Sequence, residues 1–224
     1  MNYIARHPDE LAWRLLQHLE ITLATLVIAC AIALPLGVLA ARRDRVRGPL
    51  LAILGVIYTL PSLAVFGLLV PTFGLGLVTT LIALVAYAQM ILVRNVAIGL
   101  RGVPVALREA ALGLGMTAWQ TFWRVEVPQA LPVILGGVRL ATVATISIAT
   151  LAGKIDAGGL GATLFAGLDN DDPGRIYAGS AAAAALAIAA DVCLRAVERR
   201  AAARLGPAKA SRAMHPQSSL KSQT

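Results

Sequence analysis

The sequence predicts an all-α, polytopic integral membrane protein with five membrane-spanning helices. Three observations predict it. Apolar residues make up 58% of the chain and charged residues 14%, well below the roughly 25% charge of soluble domains, and mean hydropathy is +0.73. The apolar residues gather into five runs, each near the roughly 20 residues a helix needs to cross a bilayer: Ile21–Ala41, Leu50–Val70, Leu75–Val93, Leu131–Ala152 and Ile176–Leu194. The basic residues are unevenly shared between the connections. With the N-terminus outside, sixteen of the 20 Lys+Arg fall on the inner side, and four, Arg6, Arg14, Lys154 and Arg175, on the outer. That is the positive-inside pattern for N-out, C-in insertion with an odd number of spans.

Some function classes drop out at this level. The net charge of +8 sits in juxtamembrane loops facing anionic lipid, so it calls for no nucleic acid. The first apolar run is too long for a signal-peptide core and follows mixed charge, not a basic leader. Cys30 and Cys193 fall inside apolar runs as packing residues, with no disulfide or metal framework implied. His7, His18 and His215 are too scattered to form a ligand cluster.

Residues 1–20 read as an outer interfacial amphipathic segment: in "PDELAWRLLQHLEIT" Leu11, Leu15 and Leu19 share a stripe, with Trp13 nearby. Residues 21–200 form the membrane domain. The short inner loop "RRDRVRGP" follows the first span, and Pro49 marks the start of the next helix. Pro61 lies mid-span and cannot donate to the Ile57 carbonyl, so the helix should kink there. Irregular backbone at that depth needs protein or a wet cavity beside it, which makes Tyr58, Thr59, Pro61 and Ser62 candidates for lining a path. In the third span Tyr87 and Gln89, two residues apart, are further candidates, at most one of them facing a cavity.

The longest inner connection is Arg94–Pro128. Pro104 can start a short helix through "VALREAALGL", which Gly115 ends in the left-handed conformation. "TAWQ", Thr117 to Gln120, then matches a capping box opening a second short helix that stops near Pro128. Trp119, Phe122, Trp123 and Glu126 recur at helical spacing, and Ala110 and Ala111 leave a shallow surface. Two readings stand on these residues alone: a docking knob for another protein, or a re-entrant loop packed under the bundle with Arg108 and Glu109 solvated.

After the fourth span, "LAGKIDAGGLG" places Gly158, Gly159 and Gly161 where the chain turns sharply at an outer mouth. Lys154 and Asp156 either pair with each other or bias admission of a cationic or zwitterionic solute. Arg139 is expected to snorkel to the inner boundary, and Asp191 to pair with Arg195 one turn on. Residues 201–224 read as a disordered cytoplasmic tail.

The spacing Glu109-Ala110-Ala111, three residues, Gly115, nine residues, Val125, one residue, Val127, Pro128 resembles the signature of permease subunits of ATP-binding cassette importers. Valine replaces the usual Ile and Leu at both aliphatic positions. The resemblance implies the MetI-like type I importer permease fold and makes residues 104–128 coupling helices, seated by Glu109, Ala110, Ala111, Gly115, Trp119, Val125, Val127 and Pro128 on a cytoplasmic ATPase. The chain lacks a phosphate loop: Gly153-Lys154 is followed by Ile155. Concentrating a solute 1000-fold costs about 4.1 kcal/mol; on this resemblance the partner ATPase, which binds ATP and Mg, supplies it, and no cofactor sits in this chain.

"IYTLPSLAVFGLLVP", "VRNVAIGLRGVPVALREAALGLGM" and "AGGLG" are similar to permeases for osmoprotectants, the glycine betaine, choline and carnitine group, over about Leu16 to Arg200. Methionine-importer permeases share the coupling signature and the Gly-Gly-Leu-Gly ending, so they are the alternative, and the Thr-Leu-Pro-Ser stretch favours the osmoprotectant group. A passive channel or structural membrane protein is the reading from another class. The resemblance further implies a second permease copy or paralogue, an extracytoplasmic substrate-binding protein and a bacterial inner membrane. A tyrosine face such as that of Tyr87 can hold a quaternary ammonium by roughly 0.5–2 kcal/mol.

Overall fold

The computed structural model describes residues 3 and 6–203, and every regular element among them is helical. In order these are α1 (Pro8–Arg42), α2 (Asp44–Thr59), α3 (Ser62–Phe73), α4 (Leu77–Arg101), α5 (Val105–Gly113) and α6 (Ala118–Thr121). A π-helical turn (Phe122–Glu126) leads into α7 (Val127–Leu151), a 3₁₀ turn (Ala152–Ile155), α8 (Gly159–Asp169) and α9 (Pro173–Ala203). α1, α4, the Ala118–Ile155 stretch and α9 are each long and apolar enough to cross a membrane. α2 and α3 are long and apolar enough only as a pair, bent by 93° at its break, and bring the number of candidate spans from four to five if the pair crosses as one.

α4 is the centre of the bundle, packed against α1, α7, α2 and α3. Its neighbours come close because the contact residues are small: Ala29, Ala33 and Ala40 of α1, Ala88 and Ala97 of α4 and Ala141 of α7 are all buried. Lipid tails are as apolar as leucine, so helices in a membrane gain by close dispersion contact instead of by escaping solvent. A Cβ on Gly37 would lie 2.5 Å from Val96, and one on Gly137 2.4 Å from Asn95. α9 stands apart, packing mainly on α7 and α8, and no part of its apolar stretch is buried.

Several boundaries differ from the sequence-based expectation. Residues 8–20 are not set off from the first span by a break in the helix. α1 runs unbroken from Pro8 to Arg42, because Pro8 at its first position with Asp9 and Glu10 in the first turn favours initiation there. Pro49 lies inside α2, one turn past its start, where its missing N–H leaves the Arg45 carbonyl without its ladder bond. The fourth span begins well before Leu131, as the π turn carries the helix through Pro128. The glycine-rich segment after it holds a further helix, α8. Residues 201–203 complete α9, and the rest of the expected tail, 204–224, lies outside the described residues.

Candidate functional site

The connection between α4 and α7 folds as the local chemistry dictates. α5 ends in a Schellman motif: Met116 N–H donates to the Ala111 carbonyl, Gly115 N–H donates to Leu112, and Gly115 takes φ +81°. Only glycine adopts that conformation without strain. Next, Thr117 and Gln120 form a reciprocal capping box: Thr117 Oγ1 accepts from Gln120 N–H, while Gln120 Oε1 accepts from Thr117 N–H at 2.9 Å.

The helical path opened at Ala118 does not stop at Pro128. Pro128 lacks an N–H and would crowd the carbonyl four residues back. The π turn widens the ladder, with Val127 N–H reaching back to Phe122, and Pro128 then falls in the opening turn of α7. The knob formed by α5 and α6 is therefore continuous with a membrane-crossing helix.

The knob exposes a large apolar face. Leu114 is 84% exposed, Trp119 70% and Trp123 51%, and the two indoles stack edge to face at 5.6 Å. Ala110 and Glu109 are exposed too, and Glu109 forms no ion pair among the described residues. Ala111 is buried, while Val125, Val127 and Pro128 are half-buried. The eight residues expected to seat a partner thus divide into an outward set and a set that fixes the loop to the bundle.

The carboxylate that fixes the loop is Glu126, which sequence reasoning placed only at the end of an aromatic stripe. Its side chain is 5% exposed and lies between two guanidiniums. Arg42 Nη2, at the end of α1, donates to Oε2 at 2.6 Å; Arg108 Nε, from α5, lies 3.3 Å from Oε1. Arg108 also donates from Nη2 to the Leu100 carbonyl at 2.6 Å, and Arg42 lies over the Phe122 ring. Beside the cluster is a cavity of about 200 Å³, also lined by Ala41, Leu100 and Arg101. A carboxylate amid an apolar run was the sequence signal for a buried partner. The partner could not be named, since Arg42 is 84 residues away.

The break at Pro61 is sharper than the kink expected. The Ile57 carbonyl accepts from Leu60 N–H at 3.3 Å instead of standing free, and the Leu60 carbonyl accepts from Tyr87 OH at 2.7 Å. Tyr58, Thr59 and Pro61 are exposed at the corner, and Ser62 is half-exposed. The structure brings Tyr58 edge-on to Tyr87, 6.2 Å between centroids. Tyr87 and Gln89 are both buried within the chain, so neither lines its surface. Tyr87 holds the corner, and Gln89 Nε2 ties α4 to the Ala29 carbonyl of α1 at 3.2 Å.

At the opposite end of the bundle, neutral groups do the fastening. Gly158 (φ +80°) and Gly159 (φ +69°) turn the chain into α8. Gly159 N–H donates to Gln17 Oε1 at 3.2 Å, and Leu160 N–H donates to His18 Nδ1 at 3.3 Å. His18 Nε2 lies 3.1 Å from the Ile146 carbonyl, so with Nδ1 accepting, Nε2 bears the hydrogen. The ring is completely buried. Gly161 passes so close to Thr150 that a Cβ would lie 1.9 Å from its carbonyl oxygen. Lys154 does not pair with Asp156: it reaches Asp169 at 2.9 Å and the Phe165 ring, while Asp156 adopts a left-handed turn at φ +58°.

Arg139 does not simply snorkel. It pairs with two carboxylates of α9, Asp191 at 2.7 Å and Glu198 at 2.9 Å. The expected Asp191–Arg195 pair is present at 2.6 Å.

Residues 33–205 match the family described as binding-protein-dependent transport system inner membrane component. The glycine betaine/carnitine/choline transport system permease protein OpuCB of Bacillus subtilis is 36% identical over 200 residues, covering 89% of this chain and 92% of that protein. The carnitine transport permease protein OpuCB of Listeria monocytogenes is 39% identical, over 82% and 84% of the respective chains. The osmoprotectant import permease protein OsmW of Salmonella typhimurium is 38% identical, over 85% and 91%. Among solved structures, an inward-facing form of the MetNI methionine ABC transporter superposes with a TM-score of 0.76 at 20% identity, over 86% of this chain and 96% of that one, a likeness of fold alone. With the signature loop formed and joined to a spanning helix, the chain belongs to the family of binding-protein-dependent transport system inner membrane components.

Proposed function

We propose that this chain is the transmembrane permease subunit of an ATP-driven importer for quaternary-ammonium osmoprotectants such as glycine betaine, choline or carnitine. The observation that supports it most directly is the exposed aromatic knob of α5 and α6, continuous through the π turn with a spanning helix. Such a knob is built to be gripped and pulled. The substrate class is supported by relatives 36–39% identical over most of this chain, which are permeases for glycine betaine, carnitine, choline or osmoprotectants.

In this reading the N-terminus is outside, the C-terminus and the knob are cytoplasmic, and two copies, or one copy and a paralogue, face each other across a central path. A cassette ATPase, which binds ATP and Mg, grips each knob through Trp119, Trp123 and Leu114, with Glu109 meeting a basic group. Closure of the ATPases draws the knobs together and opens the path outward toward a loaded extracytoplasmic binding protein. The corner residues Tyr58, Thr59, Pro61 and Ser62 line that path, because they are the polar and irregular part of the span left uncovered by the chain itself.

The test is reconstitution of the chain with its cassette ATPase and binding protein in liposomes. ATP-dependent uptake of labelled glycine betaine, choline or carnitine is expected, and methionine, the alternative substrate, is expected not to compete. Uphill uptake without nucleotide would remove the reading.

A further inference from the structure

Along the chain the knob is joined only to α4, through Gly102–Pro104, and to α7, through the π turn. α1, which packs along the whole central helix, is 84 residues away in sequence from the π turn. Contact between the knob and α1 therefore has to be made through side chains. The strongest such contact is Arg42 to Glu126, at 2.6 Å, reinforced by Arg42 over the Phe122 ring at 5.5 Å.

Glu126 is the last residue of the π turn, and the same carboxylate also holds Arg108 of α5. Arg108 in turn donates to Leu100 at the end of α4. One buried carboxylate thus gathers the ends of α1, α4, α5 and the turn that leads into α7. Removing either guanidinium would leave a buried charge short of a partner, which keeps the cluster together when the knob moves. π turns are uncommon and recur at functional sites; the carboxylate closes this one at its last residue.

We propose that Glu126 is the positioning residue of coupling: it passes displacement of the knob to α1 as well as to α7, so that both sides of the bundle move as one. This rests on the transport reading above. The cavity beside the cluster leaves the two guanidiniums room to follow the carboxylate.

The experiment compares wild type with Glu126→Gln, which keeps size and loses charge, in the reconstituted complex with ATPase and binding protein. Co-purification of the ATPase and its hydrolysis rate are expected to stay within about twofold, while ATP consumed per solute rises about tenfold, the usual scale of a site-to-site coupling. Arg42→Met is expected to raise the same ratio, and the double variant Arg42→Met/Glu126→Gln no further, since both break one link. If Glu126→Gln is not recovered folded, Arg42→Met decides, because Arg42 is half in solvent. An unchanged ratio, whether uptake and hydrolysis persist or fall in parallel, overturns the proposal. Wild-type protein that takes up no solute with ATP overturns the transport reading instead, leaving the two failures distinct.

Discussion

The two ends of the bundle are fastened by different chemistry. At the knob end, a buried carboxylate is held between guanidiniums under a bare aromatic face. At the other end, an imidazole and an amide side chain cap the backbone of α8, and glycines let α7 and α8 touch. Ion pairs act over distance and tolerate small displacements. Neutral hydrogen bonds and backbone contact do not. The difference teaches that the knob end is held by charges that can keep contact over a small displacement, and the glycine end by close backbone contact that cannot.

The largest effect belongs to the glycine end. Gly161→Leu forces a side chain against the Thr150 carbonyl, where a Cβ alone would lie 1.9 Å away, and backbone cannot step aside. A loss exceeding about 3 kcal/mol is expected, read as absence of monodisperse protein after detergent extraction. Recovery of a normal yield would break the contrast.

Next comes the exposed face of the knob. Glu109→Lys changes an exposed side chain with no ion pair among the described residues, so insertion and yield should match wild type. Uptake should fall about tenfold or more while the ATPase still hydrolyses, as loss of a coupling contact predicts. Wild-type uptake would remove Glu109 from the docking surface.

A middle effect falls on His18. Its ring nitrogens serve Leu160 N–H and the Ile146 carbonyl in a site without solvent. His18→Ala leaves both unpaired, at about 2–3 kcal/mol, or a melting temperature lower by roughly 5–10 °C. The smallest effect is at Lys154–Asp169, where both side chains are more than half exposed. Lys154→Ala should cost under about 0.5 kcal/mol, and neutralising Lys154 and Asp156 together should leave low-salt uptake kinetics unchanged. A change in those kinetics would support the reading that Lys154 and Asp156 bias solute admission.

Much of this was legible in the sequence where the determining partners are near in the chain. The Schellman glycine Gly115 and the Thr117–Gln120 box formed as expected because each is settled within six residues or fewer. Pro61 announced an interruption, since a missing N–H is a local fact, but the 93° bend depends on Tyr87 reaching the Leu60 carbonyl from another helix. Pro128 was misread as a stop because a π turn can absorb it, and that turn leaves no composition signature. Pairings between distant segments were out of reach: Arg42 with Glu126, Arg139 with α9, Lys154 with Asp169, His18 with Leu160. Charge alone specifies a partner's sign and not its address.

The clasp between Arg139 and α9 has a consequence for biosynthesis. Arg139 leaves the ribosome 52 residues ahead of Asp191 and 59 ahead of Glu198, which at about 5–20 residues per second is a wait of roughly 3–10 s. During that interval the guanidinium sits in a nascent bundle without its acceptors. The alanine-rich α9, weakly apolar by itself, therefore gains its clasp on α7 only once Asp191 and Glu198 have followed Arg139 into the bundle.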